Sequence, residues 1–421
     1  MAEALKMPES LPASVDTSAW SPLHEPLFRS LWVAAVISYT GTWMQNVGTG
    51  WLMTQLTMSP LMVSLVQAAS TMPVFLVILP AGALADMVDR RRFLLITQSW
   101  MVLASALLGV FTLLGQITPW ILLAFTFVLG LGAVMNDPAW QAITPEIVSS
   151  ERHAAGVALN SVGFNVARAV GPAIGGVVIA ATSSGVAFLL NAASFFGVIF
   201  FLYRWKRPHL EDVETGRVMD AMWAGMRHVR GSSLARCVLI RTGAFSLAAS
   251  SLLALLPIIA RPHGATGYGL LLGSFGLGAL AGAAVLAKLR GRVSVDGLVA
   301  CAIVIFAAMT LLAGRVQSFD WLSLILFVSG TAWIGILACL NVAAQTMSPS
   351  GLRARSLSMY LLVLQGGMAL GSAAWGALAT RIGIPTALLY SAVALVGGLF
   401  TVRHYPLASQ ELKYAPAVVR D

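Results

Sequence analysis

Residues 82–92 read Gly-Ala-Leu-Ala-Asp-Met-Val-Asp-Arg-Arg-Arg and overlap the end of an apolar run, residues 61–85. A second apolar run, residues 93–114, begins directly after the arginines. A helix crosses the hydrocarbon core of a bilayer when about 20 consecutive residues are mostly apolar, and both runs reach that length. Basic residues mark the cytoplasmic loops of membrane proteins. This stretch therefore predicts two transmembrane helices joined by a short cytoplasmic loop.

The same pattern repeats along the whole chain. Hydrophobic residues make up 58% of the 421 residues and charged residues only 10%, a composition that excludes a water-soluble domain of this size. We predict an all-α polytopic membrane protein with twelve transmembrane helices, at residues 31–54, 61–85, 93–114, 119–142, 154–182, 185–203, 238–260, 268–289, 296–314, 321–345, 354–380 and 384–402.

The breaks between these runs alternate in charge. Those on one side are short and nearly uncharged, whereas those on the other side hold basic residues such as Arg152, Arg204, Lys288 and Arg353. The positive-inside rule makes the basic side and both termini cytoplasmic. The net charge of +9 is then explained by membrane topology, and we expect no nucleic-acid partner.

The longest break separates six predicted helices from six others. We therefore expect five parts: a cytoplasmic N-terminal segment, a first six-helix half, a cytoplasmic linker, a second six-helix half and a cytoplasmic tail, at residues 1–27, 28–203, 204–236, 237–403 and 404–421. Within the linker, Val218, Met222, Met226 and Val229 recur at helical spacing. The linker holds either an amphipathic helix on the membrane surface or a solvated loop.

An internal repeat supports the division into halves. Gln141-Ala-Ile-Thr-Pro145 in the first half is echoed by Gln345-Thr-Met-Ser-Pro349, about 200 residues later. Parallel repeats of this size build two-halved transporters, in which the substrate site lies near the bilayer midplane between the halves. Access to that site alternates as one half rocks against the other.

The loop quoted at the start combines an acid with several guanidinium groups. The predicted cytoplasmic latch comprises Gly82, Asp86, Arg90 and Arg91. Its carboxylate and its guanidinium groups can form charge-assisted bonds to a neighbouring helix and then release them. The loop resembles the signature of the major facilitator superfamily, Gly-x-Leu-x-Asp followed by Gly-Arg-Arg or Gly-Arg-Lys, although Asp89 stands where the signature usually has glycine. Topological anchoring alone explains the arginines but not the spacing from Gly82 to Asp86.

The fifth predicted helix carries a glycine motif. Gly171, Pro172, Gly175 and Gly176 follow each other there; glycines four apart let helix backbones approach closely, and a proline inside a helix usually bends it. The motif resembles the Gly-Pro-x-x-Gly-Gly element of exporters in the superfamily and favours efflux. The alternative is plain helix packing.

Arg168 lies near the middle of the same predicted helix. A charge at that depth costs several kcal/mol, about 3 or more, unless it is paired or hydrated, so such residues face a cavity or a partner. The superfamily's usual basic residue on the fourth helix is absent, because Phe127 occupies that place. Arg168 is therefore a candidate central cation, or else a structural group bonded to backbone carbonyls or to Asn165.

Other polar residues within the predicted helices are candidates for a substrate or proton pathway. Gln45, Asn46 and Gln365 lie near helix centres, and Asp137, followed by Pro138, is a proton carrier or a partner for loop arginines. Buried amides also serve as glue between helices. The predicted pathway comprises Arg168, Gln45, Asn46, Asp137, Asn165 and Gln365.

The motifs together resemble the enterobactin-exporter-like branch of the major facilitator superfamily. This resemblance implies a secondary active transporter of a bacterial inner membrane, with proton-coupled efflux of a small siderophore-like or drug-like molecule by alternating access. The expected partners are that molecule, protons and the lipid bilayer, and the expected state is a monomer. No glycine-rich nucleotide loop with lysine is present in the sequence, so ATP is not the expected energy source.

Two alternatives to an exporter stay open, and the sequence argues against a third. A lysophospholipid flippase of the same fold would have a laterally open, apolar cavity, and a non-transporting sensor of transporter fold has no distinguishing residue. A membrane enzyme should show clustered His, Asp or Glu, but the six histidines are scattered. We therefore expect no enzyme. The three cysteines form no Cys-x-x-Cys pair, so we also expect no metal site and no cofactor.

Overall fold

The computed structural model describes residues 20–87, 89–205, 232–289, 293–346 and 353–405. Twelve long helices fill most of these ranges: α1 Pro26–Leu56, α2 Pro60–Met87, α3 Arg90–Leu113, α4 Pro119–Ile147, α5 His153–Ala181, α6 Ser184–Arg204, α7 Ser233–Ile259, α8 Gly264–Leu289, α9 Val295–Ala313, α10 Phe319–Thr346, α11 Arg353–Ile382 and α12 Ile384–Gly397. A short helix, α13 Leu399–His404, follows α12, and short 3-10 helices lie at Ser21–His24, Ser150–Arg152 and Arg261–His263. The amphipathic helix predicted for the linker, at residues 218–229, falls outside the described residues.

Several helices begin at a side chain that accepts a backbone N–H. Ser183, Ser232 and Ser294 do so at the starts of α6, α7 and α9. At the start of α3, the Asp89 carboxylate accepts from the backbone N–H of Arg92 at 2.8 Å. Serine and aspartate are preferred in this position because they satisfy a donor that the first helical turn leaves unpaired. Asp89 thus caps a helix at the position where the family signature usually has glycine.

The number of helices agrees with the sequence-based prediction. Eleven of the described helices are long and apolar enough to cross a membrane, and α1 is not among them. With 31 residues α1 has the length to span, but Thr40, Gln45, Asn46 and Thr49 make it less apolar. The predicted all-helical, twelve-helix membrane fold is confirmed.

The helices form two halves with the same packing order. In the first half α1 packs on α5 and α6, α3 on α4 and α6, and α2 on α4. In the second half α7 packs on α11 and α12, α9 on α10 and α12, and α8 on α10. Each pair in the second list is a pair of the first advanced by six helices. The halves meet chiefly through two pairs, α2 with α11 and α5 with α8.

The two ends of the bundle differ in their connections. The short-loop end is the one at which residues 57–59, 114–118, 182–183, 260–263, 314–318 and Gly383 join the helices. Gly383 alone links α11 to α12 with a φ of 83°, a conformation that glycine adopts without steric cost. The opposite, basic end is the one from which α1 and α7 start and at which α6 stops at Arg204.

Candidate functional site

The halves touch along a glycine seam between α5 and α8. A Cβ added at Gly269 would lie 2.3 Å from the Pro172 carbonyl oxygen and 2.8 Å from the Gly176 Cα atom. Further toward the basic end, a Cβ at Gly276 would lie 2.9 Å from the Ala169 Cα atom. Backbones this close require glycine, so the seam holds the halves together from the short-loop end to the middle of α5.

The other two glycines of the α5 motif face a different neighbour. A Cβ added at Gly171 would lie 2.7 Å from the Trp43 Cβ atom, and one at Gly175 would lie 2.8 Å from the Met44 Cα atom. Both contacts are with α1, in the same half. The sequence motif therefore serves two interfaces, since Gly171 and Gly175 fix α5 to α1 while Gly176 meets α8.

A polar strip runs along α5 between these two interfaces. Ser161, Asn165, Arg168 and Pro172 recur at intervals of four, three and four residues and so share one helical face. The strip meets the second half at Pro172, whose carbonyl approaches Gly269. On the basic side of this contact the strip continues as Arg168, Asn165 and the exposed Ser161, so it lines the gap between the halves.

Arg168 has no protein partner that the structure describes. Its Nη2 atom is buried without a hydrogen bond, and no ion pair or hydrogen bond of its guanidinium is found among the described residues. Asn165, the neighbour suggested from sequence, donates instead to the Ser161 carbonyl of its own helix at 2.8 Å. A half-buried guanidinium in the middle of a spanning helix is thus left available to an anionic ligand.

Asp137 lies apart from the arginines that the sequence suggested as partners. The preceding Asn136 is buried against α3, where its Oδ1 atom accepts from Gln98 Nε2 at 3.0 Å. Asp137 points about 100° away around α4, is exposed, and lies within electrostatic range of Tyr39 on α1. Arg90 pairs with Glu146 instead. Asp137 thus lies on the same half as Arg168 without a described ion pair.

The side chains of the adjacent residues Gln45 and Asn46 lie on different sides of α1. Gln45 is 6% exposed, and its Oε1 atom lies 2.7 Å from Asn191 Nδ2 and 2.5 Å from Ser105 Oγ. It ties α1 to α6 and α3 and does not join Arg168 in the gap. Asn46 is exposed and lies four residues before Gly50, where an added Cβ would be 2.6 Å from the Tyr268 hydroxyl of α8. Asn46 therefore faces the second half.

Gln365 is the predicted pathway residue of the second half. It is half-buried and precedes Gly376 by eleven residues, which is about three helical turns. Gly376 packs on Ser64 of α2, since an added Cβ would lie 1.7 Å from the Ser64 hydroxyl. Gln365 shares that face and so points toward the first half, on the basic side of the contact.

The latch residues that are described bind within the first half. Arg90 Nη1 lies 2.9 Å from Glu146 Oε1 at the end of α4, and Arg91 Nε donates at 2.8 Å to the Leu202 carbonyl at the end of α6. Arg91 thus satisfies carbonyls that the last turn of a helix leaves unpaired. Gly82 and Asp86 lie in α2, but the Asp86 side chain is outside the described part, so release of the latch stays a prediction.

A buried ion pair in the second half was missed from sequence. Arg241 on α7 is 3% exposed; its Nη1 atom bonds the Asp296 carboxylate at the start of α9 and lies 3.4 Å from the Tyr405 carbonyl. Both charges lie at the margins of apolar runs, where they look like ordinary loop anchors. The pair fastens α7, α9 and the segment after α13 at the basic end.

Three aromatic side chains surround the start of the polar strip. The ring centroid of Phe164 lies 5.4 Å from that of Tyr39 and 6.3 Å from that of Trp43, both edge to face. Phe164 is nonetheless 41% exposed. An aromatic ring within a spanning helix carries no signal of its own in the sequence.

The sequence from residue 17 to residue 417 matches the family described as transmembrane secretion effector. The chain belongs to this family of major facilitator transporters. In addition, it is 27% identical over 164 residues to the staphyloferrin A transporter of Staphylococcus aureus (strain NCTC 8325 / PS 47), covering 39% of this chain and 41% of that protein. It is 33% identical over 153 residues to the multidrug efflux pump Tap of Mycolicibacterium fortuitum, covering 35% of this chain and 37% of the pump.

These matches span about two fifths of each relative's length. The likeness to solved structures, in contrast, covers nearly the whole of this chain. A bacterial homologue of the human lysosomal transporter Spinster, in an inward-facing and unoccupied conformation, superposes with a TM-score of 0.69 at 12% identity, covering 94% of this chain and 99% of that one. The peptide transporter POT in complex with sulfate gives 0.72 at 13% identity, with 93% and 99% covered. These likenesses show the fold, and the family match confirms the prediction of a transporter and not an enzyme.

Proposed function

We propose that the chain is a secondary active exporter of a small organic anion in a bacterial inner membrane. The observation that carries this proposal is Arg168, a guanidinium in the middle of a spanning helix with no partner among the described residues. It lies on the face of α5 that lines the gap between the halves. Desolvating that charge is costly, and a ligand anion can return part of the lost solvation through paired hydrogen bonds.

Alternating access accounts for the positions at which the two halves touch. The described contacts between the halves run from Leu61, whose backbone N–H donates to Thr380 Oγ1 at 3.2 Å near the short-loop end, to Ala169 and Gly276 at mid-helix. We interpret this arrangement as the state open at the basic end. With the basic end cytoplasmic, as the positive-inside rule predicts, this state loads substrate from the cytoplasm.

Export is the direction favoured by the relatives. The family is described as transmembrane secretion effector, and one relative is named a multidrug efflux pump. Asp137 is the candidate for proton coupling, because a carboxylate exposed on the cavity side of α4 can bind and release a proton as access changes. The substrate could then leave as a proton enters.

Uptake of labelled organic anions into inside-out vesicles tests the proposal, since this uptake corresponds to export from the cell. We expect Arg168→Gln to lower the rate at least tenfold and Arg168→Lys to keep a fraction of it, because lysine retains the charge but loses the planar fork. Asp137→Asn should remove the dependence of the rate on an imposed pH gradient.

The matched control is Arg204→Gln, which removes an exposed arginine whose guanidinium lies 4.7 Å above the Phe200 ring at the end of α6. This variant should transport like the parent protein. Detergent melting curves of every variant separate loss of binding from loss of fold. Normal transport by Arg168→Gln, or failure only through unfolding, would reduce Arg168 to a structural residue.

A further inference from the structure

We infer that Tyr39, Trp43 and Phe164 form an aromatic corner that selects substrates whose anionic group is attached to a planar aromatic body. This inference rests on the proposed function, because it assigns the apolar part of the ligand whose charge Arg168 binds. It concerns three residues that neither the family match nor the sequence motifs single out.

The corner faces the second half of the protein. Tyr39, Asn46 and Gly50 recur at intervals of seven and four residues, which places them on one face of α1. Gly50 at the top of that face contacts the Tyr268 hydroxyl of α8. Tyr39 therefore lies on the same side of α1, two turns below Asn46, and its ring edge fixes Phe164 there at a centroid distance of 5.4 Å.

Phe164 is held in place but not covered. Two rings contact it, and the backbone of α5 is pressed against Trp43 at Gly171. A ring that served only packing would be buried among these neighbours, yet 41% of Phe164 is exposed. A rigid ring with a free surface is a stacking platform, because offset or edge contacts with a second ring add to the gain from burying apolar area.

The platform and the guanidinium are adjacent. Phe164 and Arg168 are four residues apart on α5, so their Cβ atoms are about 6 Å apart on the same side of the helix. Arg168 forms no ring contact among the described residues, which leaves its charge for the ligand. Asp137 near Tyr39 carries the opposite charge, so the anionic group must point toward Arg168. A planar ring bearing a carboxylate fits this order of contacts.

Three probes of matched size separate ring from charge: 2-naphthoate, the neutral 2-naphthamide and the saturated decalin-2-carboxylate. Their dissociation constants are measured by calorimetry on the purified full chain in detergent. We expect 2-naphthoate to bind about three- to tenfold more tightly than decalin-2-carboxylate, which is the range that an aromatic pair contributes. Phe164→Leu should abolish this preference, and Phe164→Tyr should keep it.

Phe196→Leu is the matched control, because Phe196 is 59% exposed on α6 and lies away from the corner. Equal binding of the two carboxylates by the parent protein, or an unchanged preference in Phe164→Leu, would overturn the inference. The proposed function has a separate test in the same measurements. It is contradicted if Arg168→Gln prefers 2-naphthoate over 2-naphthamide as strongly as the parent protein does. Loss of the charge preference in Arg168→Gln together with an unchanged ring preference in Phe164→Leu would keep the exporter and reject the corner.

Discussion

Replacing Gly269 with alanine should shift the protein away from the state described here. The new Cβ would lie 2.3 Å from the Pro172 carbonyl oxygen and 2.8 Å from the Gly176 Cα atom. Both are backbone atoms that cannot rotate aside, so α5 and α8 must separate by about 1 Å to restore van der Waals contact. Overpacking of this kind costs about 1–3 kcal/mol. The cost falls only on the state in which the seam is closed.

A penalty of that size changes the ratio between molecules whose short-loop end is closed and molecules whose short-loop end is open by about 5- to 150-fold. The assay is electron-electron distance measurement between spin labels at Gln116 and Ser318, which are exposed on opposite halves at the short-loop end, in a cysteine-free background. Gly269→Ala should move the distribution toward longer distances.

Gly397→Ala is the control for this measurement, because nothing lies within 4 Å of its added Cβ. Both variants gain similar helix propensity from the loss of a glycine, so the difference between them isolates the clash. Identical distance distributions in Gly269→Ala and Gly397→Ala would refute the assignment of the α5–α8 seam as the contact that opens during transport.

Two further predictions concern stability and topology. Gln45→Leu removes the acceptor of the buried Asn191 Nδ2 donor, whereas Ser105 Oγ keeps the Phe188 carbonyl as an acceptor. The substitution should lower the free energy of unfolding by about 1–3 kcal/mol, seen as a lower melting temperature in detergent, whereas Asn46→Leu at the exposed neighbouring position should not. Equal melting of the two variants would show that the Gln45 network contributes nothing. A cysteine at Ser318 should react with an impermeant thiol reagent in intact cells and one at Ser232 only after permeabilisation, so labelling of Ser232 in intact cells would reverse the assigned orientation.

The helices could be predicted from sequence because each one is a run of apolar residues of bilayer length, and that signal depends on composition alone. The grouping into halves followed from the repeat of Gln141 to Pro145 at Gln345 to Pro349. The beginning of α1 at Pro26 was set five residues too late, at residue 31, because the first turns mix Arg29 and Ser30 with apolar residues. Helix ends depend on caps and prolines, which hydropathy does not register.

Candidate site residues could be predicted where a charged or amide side chain interrupts an apolar run. Arg168 stands out because a guanidinium within an apolar run has few explanations. Gln45 and Asn46 could not be told apart, since adjacent residues differ by about 100° around a helix and only the neighbouring helices show which face is covered. Phe164 gave no signal, because an exposed ring and a lipid-facing ring look alike in sequence. Arg241 looked like a loop anchor until Asp296 was seen beside it.

The glycine seam has a consequence for the conditions that govern the transport cycle. The ion pairs that the structure describes, Arg90 with Glu146, Arg152 with Glu25 and Arg241 with Asp296, each lie within one half, whereas α5 meets α8 through backbone and small side chains. Opening the seam therefore replaces dispersion contacts between α5 and α8 by contacts with lipid and solvent, and it breaks no described salt bridge. We expect the balance between the two states to depend little on ionic strength and more on acyl-chain length and on lateral pressure in the bilayer.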